Sequence, residues 1–330
     1  MNILVIRFTS LGDLVTLEPA FRAIRYFFKD DNISLLTTGI GKGLYQDTDY
    51  FDEYCIYNGF FKAISQLREK DYDLVINLQC NKPSHYVSMF LDKKLVVNKS
   101  YNFIEKLLSL KVKVKSTKEI IEEINLISQN IIDDYFEKNK TLIKLPVDIN
   151  QKLLEKEQSK KYIAISTGTS PRWLSKKWGV ENFCELIKKL VDDFQVVLVG
   201  SDLELEDADY ILTKIGKENI ISFVNKTNLT QLKNLLSQVD LYIGNDSGPS
   251  HIAAGVGTNT VTIFGSTDVK HCVKFIPYRG EHTCIKPSDD IKCHPCYKTK
   301  CPTNMECMAS IKVEYIYSEV LKLLQKGDGK

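Results

Sequence analysis

No stretch of this 330-residue chain strings together the roughly 18 apolar residues that a bilayer-spanning helix needs, so nothing in it reads as a transmembrane segment. An excess of charge is missing too: 44 Lys and Arg stand against 42 Asp and Glu. That balance excludes the basic surplus of a nucleic-acid protein and a global field that would steer polyanions. Met1 to Phe8 is apolar but short, carries Arg7, and leads into a glycine turn, so it reads as a first strand rather than an export signal. A reduced, cytoplasmic chain is therefore expected, with its nine cysteines free or metal-bound. A Walker A loop is absent, because no Gly-Lys-Ser/Thr follows a glycine and four spacers. Gly39-Ile40-Gly41-Lys42-Gly43 lacks the spacing and the helix of a dinucleotide fingerprint and reads as a flexible loop. Internal repeats and low-complexity tracts are also lacking.

What is present is a recurring strand, loop and helix. Ile3–Arg7, Ile33–Leu36, Leu74–Leu78 and Leu95–Asn98 are continuous apolar runs of strand length. Tyr162–Ser166, Val196–Val199, Val239–Gly244 and Thr260–Phe264 repeat the pattern later in the chain. Between them, Leu14–Phe28, Glu181–Phe194 and Leu229–Val239 carry apolar residues at helical period. Buried strands alternating with amphipathic helices predict an α/β protein of doubly wound parallel sheets. At this length two domains are expected. The Pro146-containing and charged stretch from Lys140 to Lys161 separates the halves, giving domains of 1–155 and 156–330. A last helix over 313–324 is apolar on one face and needs a partner surface, for which the first domain is a candidate.

Ligands of open α/β sheets bind beyond the carboxyl ends of the strands, and four loops at such ends are polar. Thr9-Ser10-Leu11-Gly12-Asp13 places a carboxylate at the start of a helix, either as a capping group or as a general base. Ser166-Thr167-Gly168-Thr169-Ser170, running on to Lys176-Lys177-Trp178, offers hydroxyls and ammonium groups that suit a diphosphate, although a solvated loop has the same composition. Gly200-Ser201-Asp202-Leu203-Glu204 could present Glu204 or Asp202 to a ribose diol, or be a plain surface turn. Asp246-Ser247-Gly248-Pro249-Ser250-His251 lies where a buried strand ends and a small-residue helix begins. Its backbone N–H groups and positive helix end form an anion site, with a carboxylate and an imidazole beside it.

These residues resemble glycosyltransferase family 9, the lipopolysaccharide heptosyltransferases. Val5 to Asp13 resembles the start of the family. The loop ending Lys176-Lys177-Trp178 resembles its donor-phosphate loop, and Asp246 to Ala254 with Phe264-Gly265-Ser266-Thr267-Asp268 resembles its most diagnostic segment. The resemblance implies a GT-B fold of two Rossmann-like domains facing a cleft, the first holding the acceptor and the second the donor. It implies metal-independent, inverting transfer of a heptose from ADP-heptose to a lipid A-linked lipopolysaccharide core, with no cofactor for catalysis. By position, Asp13 would be the general base. Thr169, Ser170 and Lys176 would hold the diphosphate, Glu204 the ribose, and Asp246, Ser247, Gly248 and His251 the sugar and phosphate.

Two features lie outside those motifs. Residues 93–118 hold eight Lys and a single acid, Glu105. This stretch is either a solvated face or a patch, with Lys111, Lys113 and Lys115 at its centre, for acidic core sugars or for anionic lipid at the inner membrane face. Within the Cys-rich segment 284–307, Cys293, Cys296, Cys301 and Cys307 follow a C-x₂-C-x₄-C-x₅-C spacing. Four thiolates so spaced can enclose a structural zinc or iron, the other readings being free thiols and disulfides. Rival functions are a GT-B transferase using another nucleotide sugar or a protein acceptor, and a non-catalytic nucleotide-binding protein with a metal knuckle.

Overall fold

Val, Ile and Leu dominate the central strands because those are covered on both faces, which a parallel sheet between helix layers requires, while the outer strands Glu53–Ile56, Ile220–Ser222 and His282–Ile285 are half-buried. The structure, a computed structural model, describes residues 1–79, 81–91, 93–98, 143–271 and 278–326. The chain divides into two compact units, 1–141 and 142–330.

In the first unit β1 (Asn2–Ile6), β2 (Asn32–Thr37), β3 (Glu53–Ile56), β4 (Tyr72–Asn77) and β5 (Lys93–Asn98) form one parallel sheet in the order β3-β2-β1-β4-β5. In the second, β6 (Tyr162–Ser166), β7 (Gln195–Leu198), β8 (Ile220–Ser222), β9 (Leu241–Asn245), β10 (Asn259–Ile263) and β11 (His282–Ile285) form another parallel sheet. Its order is β11-β10-β9-β6-β7-β8. Both are Rossmann-like, doubly wound sheets, the α/β class expected from the sequence. Each reverses its winding once, between β1 and β4 and between β6 and β9. A crevice opens at the carboxyl ends of the strands at such reversals.

The first predicted helix is two helices in the structure. The first, α1, is Leu11–Thr16, and α2 is Glu18–Phe27 with Pro19 in its first turn. Proline lacks an N–H and tolerates only the start of a helix, so the chain restarts at Leu17 instead of running through. The glycine-rich stretch read as a flexible loop is also a helix, α3 (Gly39–Tyr45). Leu44 and Tyr45 are fully buried there, and the Tyr45 hydroxyl donates to the Leu14 carbonyl at 2.7 Å. That burial overrides the poor helix propensity of glycine. Helices α4 (Phe60–Leu67) and α5 (Lys82–Phe90) complete the first unit's described helices.

The second unit adds α6 (Val180–Leu190), α7 (Leu205–Ile215), α8 (Leu229–Ser237) and α9 (Gly248–Val256), then α10 (Glu306–Ala309) and α11 (Val313–Lys326). The partner of α11 is the second unit itself. Ile316, Val320, Leu323 and Leu324 join one core with Phe183, Ile187, Val261 and Ile263. Trp178 ties the same layer, its indole N–H donating to the Ile311 carbonyl at 3.1 Å and its ring meeting Phe183 edge to face.

Replacing fully buried Ile316 by Ala should cost roughly 2–5 kcal/mol of unfolding free energy, while exposed Tyr315→Ala should change it by less than about 0.5 kcal/mol. Urea unfolding followed by tryptophan fluorescence measures this, because both tryptophans, Trp173 and Trp178, belong to the second unit.

Candidate active site

The reversal between β6 and β9 gathers most of the polar loops singled out in the sequence. Asn245, the last residue of β9, is fully buried. Its amide donates to the carbonyls of Thr167 at 2.8 Å and Gly168 at 3.2 Å, and its Oδ1 accepts from the Trp178 N–H at 3.1 Å. One side chain thus fastens both ends of the 167–178 loop to the strand that leads into Asp246. A charged neighbour follows directly. Lys176 Nζ lies 2.6 Å from Asp246 Oδ2, and Thr267 Oγ1 donates to the same oxygen at 2.7 Å. The Lys176 ammonium also stands 4.9 Å over the centre of the Trp173 ring. Lys177 turns away and pairs with Asp207 on α7.

Helix α9 starts at Gly248, four residues earlier than the small-residue run suggested, so the positive helix end falls directly after Asp246 and Ser247. Ser247 caps it without a side-chain bond. The Ser247 Oγ and the Tyr242 hydroxyl are buried, and neither has a partner at hydrogen-bond geometry among the described residues. Burial pushes the Tyr242 hydroxyl's pKa up, and the neighbouring Ser166 and Ser247 oxygens oppose that shift. His251 lies one turn into the helix, its Nδ1 3.1 Å from the Tyr278 hydroxyl, a group whose own pKa is raised by burial.

Thr169 and Ser170 are on the same loop as Lys176. Thr169 Oγ1 donates to the Trp173 carbonyl at 3.2 Å, and Ser170 is exposed. Glu204 is buried at the neighbouring strand end. Its Oε2 accepts from Ser201 N at 2.6 Å and Ser201 Oγ at 2.9 Å, closing a capping box. Its other oxygen abuts Gly168, where an added Cβ would come within 1.8 Å of it. Glu204 therefore wedges the two loops apart, and Asp202 beside it is exposed.

Asp13 belongs to the first unit, at the β1/β4 reversal. It is the third residue of α1 rather than its cap. Ser10 is the cap, and its N and Oγ donate to Asp13 Oδ2 at 3.0 and 3.1 Å. Arg7 Nη2 reaches the same oxygen at 2.9 Å while Arg7 Nη1 donates to the Leu78 carbonyl. Every such contact is on Oδ2 and 58% of the side chain is exposed, so Asp13 Oδ1 is left without a partner among the described residues. Gln79 at the end of β4 steadies this turn, its Oε1 accepting from the N–H groups of Phe8 and Thr9 at 2.9 and 3.3 Å.

The cysteines divide. Cys284 on β11 is disulfide-bonded, which departs from the expected set of reduced thiols. Cys293, Cys296, Cys301 and Cys307 are free. Burial first, and then the negative charge of the other three thiolates nearby, raises the Cys307 pKa, whereas a hydrogen bond with Thr303 lowers that of Cys301. Among the described residues no three His, Cys, Asp or Glu side chains converge as metal ligands. The segment is stitched to the Lys176 turn. Cys296 N and Tyr297 N donate to the Ser266 carbonyl, Ser175 N donates to Thr299 O, and Ser175 Oγ meets Ser266 Oγ at 2.8 Å. Gly265 permits this approach, since a Cβ there would stand 2.6 Å from Ser175 O and 3.0 Å from Lys176 Cα.

Asn245, Gln79 and the Ser175–Ser266 pair were not singled out in the sequence. An Asn ending an otherwise apolar buried strand was the available signal for the first, and the others had none. Lys111, Lys113 and Lys115 lie outside the described residues.

The glycosyltransferase family 9 (heptosyltransferase) profile matches residues 60–306. Lipooligosaccharide heptosyltransferase 2 of Campylobacter jejuni subsp. jejuni serotype O:2 is 25% identical over 324 residues, 97% of each chain. A family 9 glycosyltransferase structure from Veillonella parvula superposes with a TM-score of 0.74 at 19% identity, over 98% of this chain and 97% of that one. The E. coli ADP-heptose lipopolysaccharide heptosyltransferase II structure superposes with a TM-score of 0.71 at 20% identity, covering 100% of both. With the family profile spanning most of its length, the chain belongs to glycosyltransferase family 9, the heptosyltransferases.

Proposed function

We propose that this enzyme transfers a heptose from ADP-heptose to the inner core of a lipid A-linked lipopolysaccharide, with inversion at the anomeric carbon. The observation that carries this reading is the anion-ready corner where Lys176, the start of α9 and the buried Ser247 hydroxyl, without a partner at hydrogen-bond geometry among the described residues, adjoin. An acceptor hydroxyl attacks the anomeric carbon, its bond to the phosphate oxygen breaks, and ADP leaves. Charge then grows on the diphosphate. Lys176 and the α9 N–H groups would stabilise it there, in fixed positions that need no reorganisation. Asp246 and Thr267 would hold Lys176 in place, Thr169 and Ser170 would complete the phosphate contacts, and Glu204 would meet the ribose. Ser247, Gly248 and His251 would grip the sugar side.

In the first unit, Asp13 is the proposed base. Arg7 and Ser10 fix Oδ2, so Oδ1 is the oxygen left to take the acceptor proton. Asp13→Asn should lower the transfer rate by roughly 10²–10⁴ and leave ADP binding unchanged. ADP, and neither UDP nor GDP, should raise the melting temperature of both proteins, since a ligand bound only by the folded state stabilises it. Full turnover by the variant would remove Asp13 as base, and a stronger shift with UDP or GDP would redirect the donor assignment.

Acceptor recognition is assigned to the first unit and to the lysine-rich stretch 93–118. Lys111→Gln, Lys113→Gln and Lys115→Gln together should raise the acceptor KM several-fold with little change in the donor KM. An equal change in both would defeat the assignment. No helix among the described residues is long and apolar enough to cross a membrane. Work at the cytoplasmic face of the inner membrane, as a peripheral protein, is part of the same reading.

Cys293, Cys296, Cys301 and Cys307 fit a structural zinc or iron by donor type, being four free thiols on one segment. Four thiolates leave no open coordination position, so such a metal would brace the segment that holds Ser175, next to Lys176. Elemental analysis of protein purified without added metal should find near-stoichiometric zinc or iron, and its removal should lower thermal stability. Metal-free protein of unchanged stability would sink this part.

A further inference from the structure

The first unit carries an exposed aromatic face that none of the chemistry above uses. Phe61, at the start of α4, is 85% exposed. Phe60 lies between it and Phe90 at the end of α5, with ring centres 5.4 Å from each. On α5, Tyr86, Met89 and Phe90 follow the i, i+3, i+4 spacing of one helix face, and each is at least half exposed. These are the large side chains that a water-facing surface ordinarily hides, and they form one continuous ridge across two packed helices rather than scattered single residues.

Charge around the ridge has one dominant sign. Lys62 and Arg68 on and after α4, Lys82 at the start of α5 and Lys93 just past its end are the cations. The Arg68 guanidinium donates to the Phe90 carbonyl, and Lys93 Nζ donates to the carbonyls of Met89 and Leu91, so both charges are held at the ridge. Against these four cations stand the exposed Glu69 and Asp71 just after α4, while Glu53 is paired with Lys70.

We propose that this α4–α5 face docks on an anionic lipid surface, the aromatic and Met side chains entering the headgroup layer while the lysines and Arg68 meet the phosphates. Amphipathic rings favour that depth, and a ring of cations adds an attraction that salt weakens. Neither term alone holds a protein on a bilayer, and the two coincide here. The inference rests on the reading of a lipid-linked acceptor, because such a surface would bring the enzyme to the plane in which that acceptor lies.

Vesicle flotation of the full chain tests it. Wild type should float with phosphatidylcholine vesicles containing phosphatidylglycerol, should not float with phosphatidylcholine alone, and should be released by salt. Phe61→Ser, and the combined Phe61→Ser, Met89→Ser and Phe90→Ser variant, should lose about tenfold or more in vesicle affinity. The variants should transfer heptose to a delipidated core oligosaccharide at the wild-type rate and to vesicle-embedded acceptor more slowly. Wild type that ignores anionic vesicles, or variants that bind them as wild type does, would overturn the docking surface. A dimeric wild type made monomeric by Phe61→Ser would overturn it too, assigning the face to a second copy of the chain. Absence of transfer to the delipidated acceptor by wild type would instead count against the heptosyltransferase reading, which separates the two failures.

Discussion

The Asn245 side chain ends β9 inside the protein and spends its whole amide on the backbone of another loop. Two of its bonds run to the carbonyls of Thr167 and Gly168 and one comes from the N–H of Trp178. A polar loop laid across a sheet edge leaves backbone groups that water cannot reach, and each such orphan costs about 1–3 kcal/mol. Asn suits the position because it donates and accepts from one planar group, which an isosteric Asp or Leu does not. Because Asn245 immediately precedes Asp246, the bonds that hold the 167–178 loop also fix the distance between Asp246 and Lys176.

The first unit solves the same problem with different residues. There the reversal is between β1 and β4. Gln79 supplies the acceptor for Phe8 and Thr9, and Arg7 bridges the Leu78 carbonyl and Asp13. In both sheets a side chain from one strand end tethers the loop that follows another. The second unit adds a further layer, the Cys-rich segment, which reaches the Lys176 turn through Ser175 and Ser266. Fold and site are therefore not separable here, since the residues that would touch a ligand sit on loops whose shape is set by buried polar contacts behind them.

The central strands were legible because parallel strands buried on both faces leave unbroken apolar runs, and these were placed within a residue or two, whereas the half-buried outer strands β3, β8 and β11 leave no such run and were not read. Helix limits were harder to read. The break at Leu17 depends on where the chain can accommodate Pro19, and α3 forms because Leu44 and Tyr45 find a core, which local propensity does not record. The polar loops at the strand ends were visible as motifs that carry Lys176 and Asp246, but that β6 and β9 are neighbours and bring the two within 2.6 Å is visible only in the structure. What held those loops was not visible. Asn245 meets partners 67 to 78 residues away, and Ser175 meets Ser266 across 91. Pairings at that separation follow from strand order, and strand order follows from the winding of the whole sheet.

The ion pair of Lys176 with Asp246 has a consequence for discrimination among anions. The ammonium is already compensated by Asp246, so on the proposed reading the corner would be a poor sink for inorganic phosphate or other small stray anions. Long-range attraction to a passing polyanion is muted for the same reason. Occupancy then depends on groups that only a properly shaped molecule can offer, namely an oxygen for the α9 N–H groups and the Ser247 hydroxyl, together with whatever reaches the neighbouring strand end at Glu204. On the proposed reading, selectivity would thereby shift from net charge to shape.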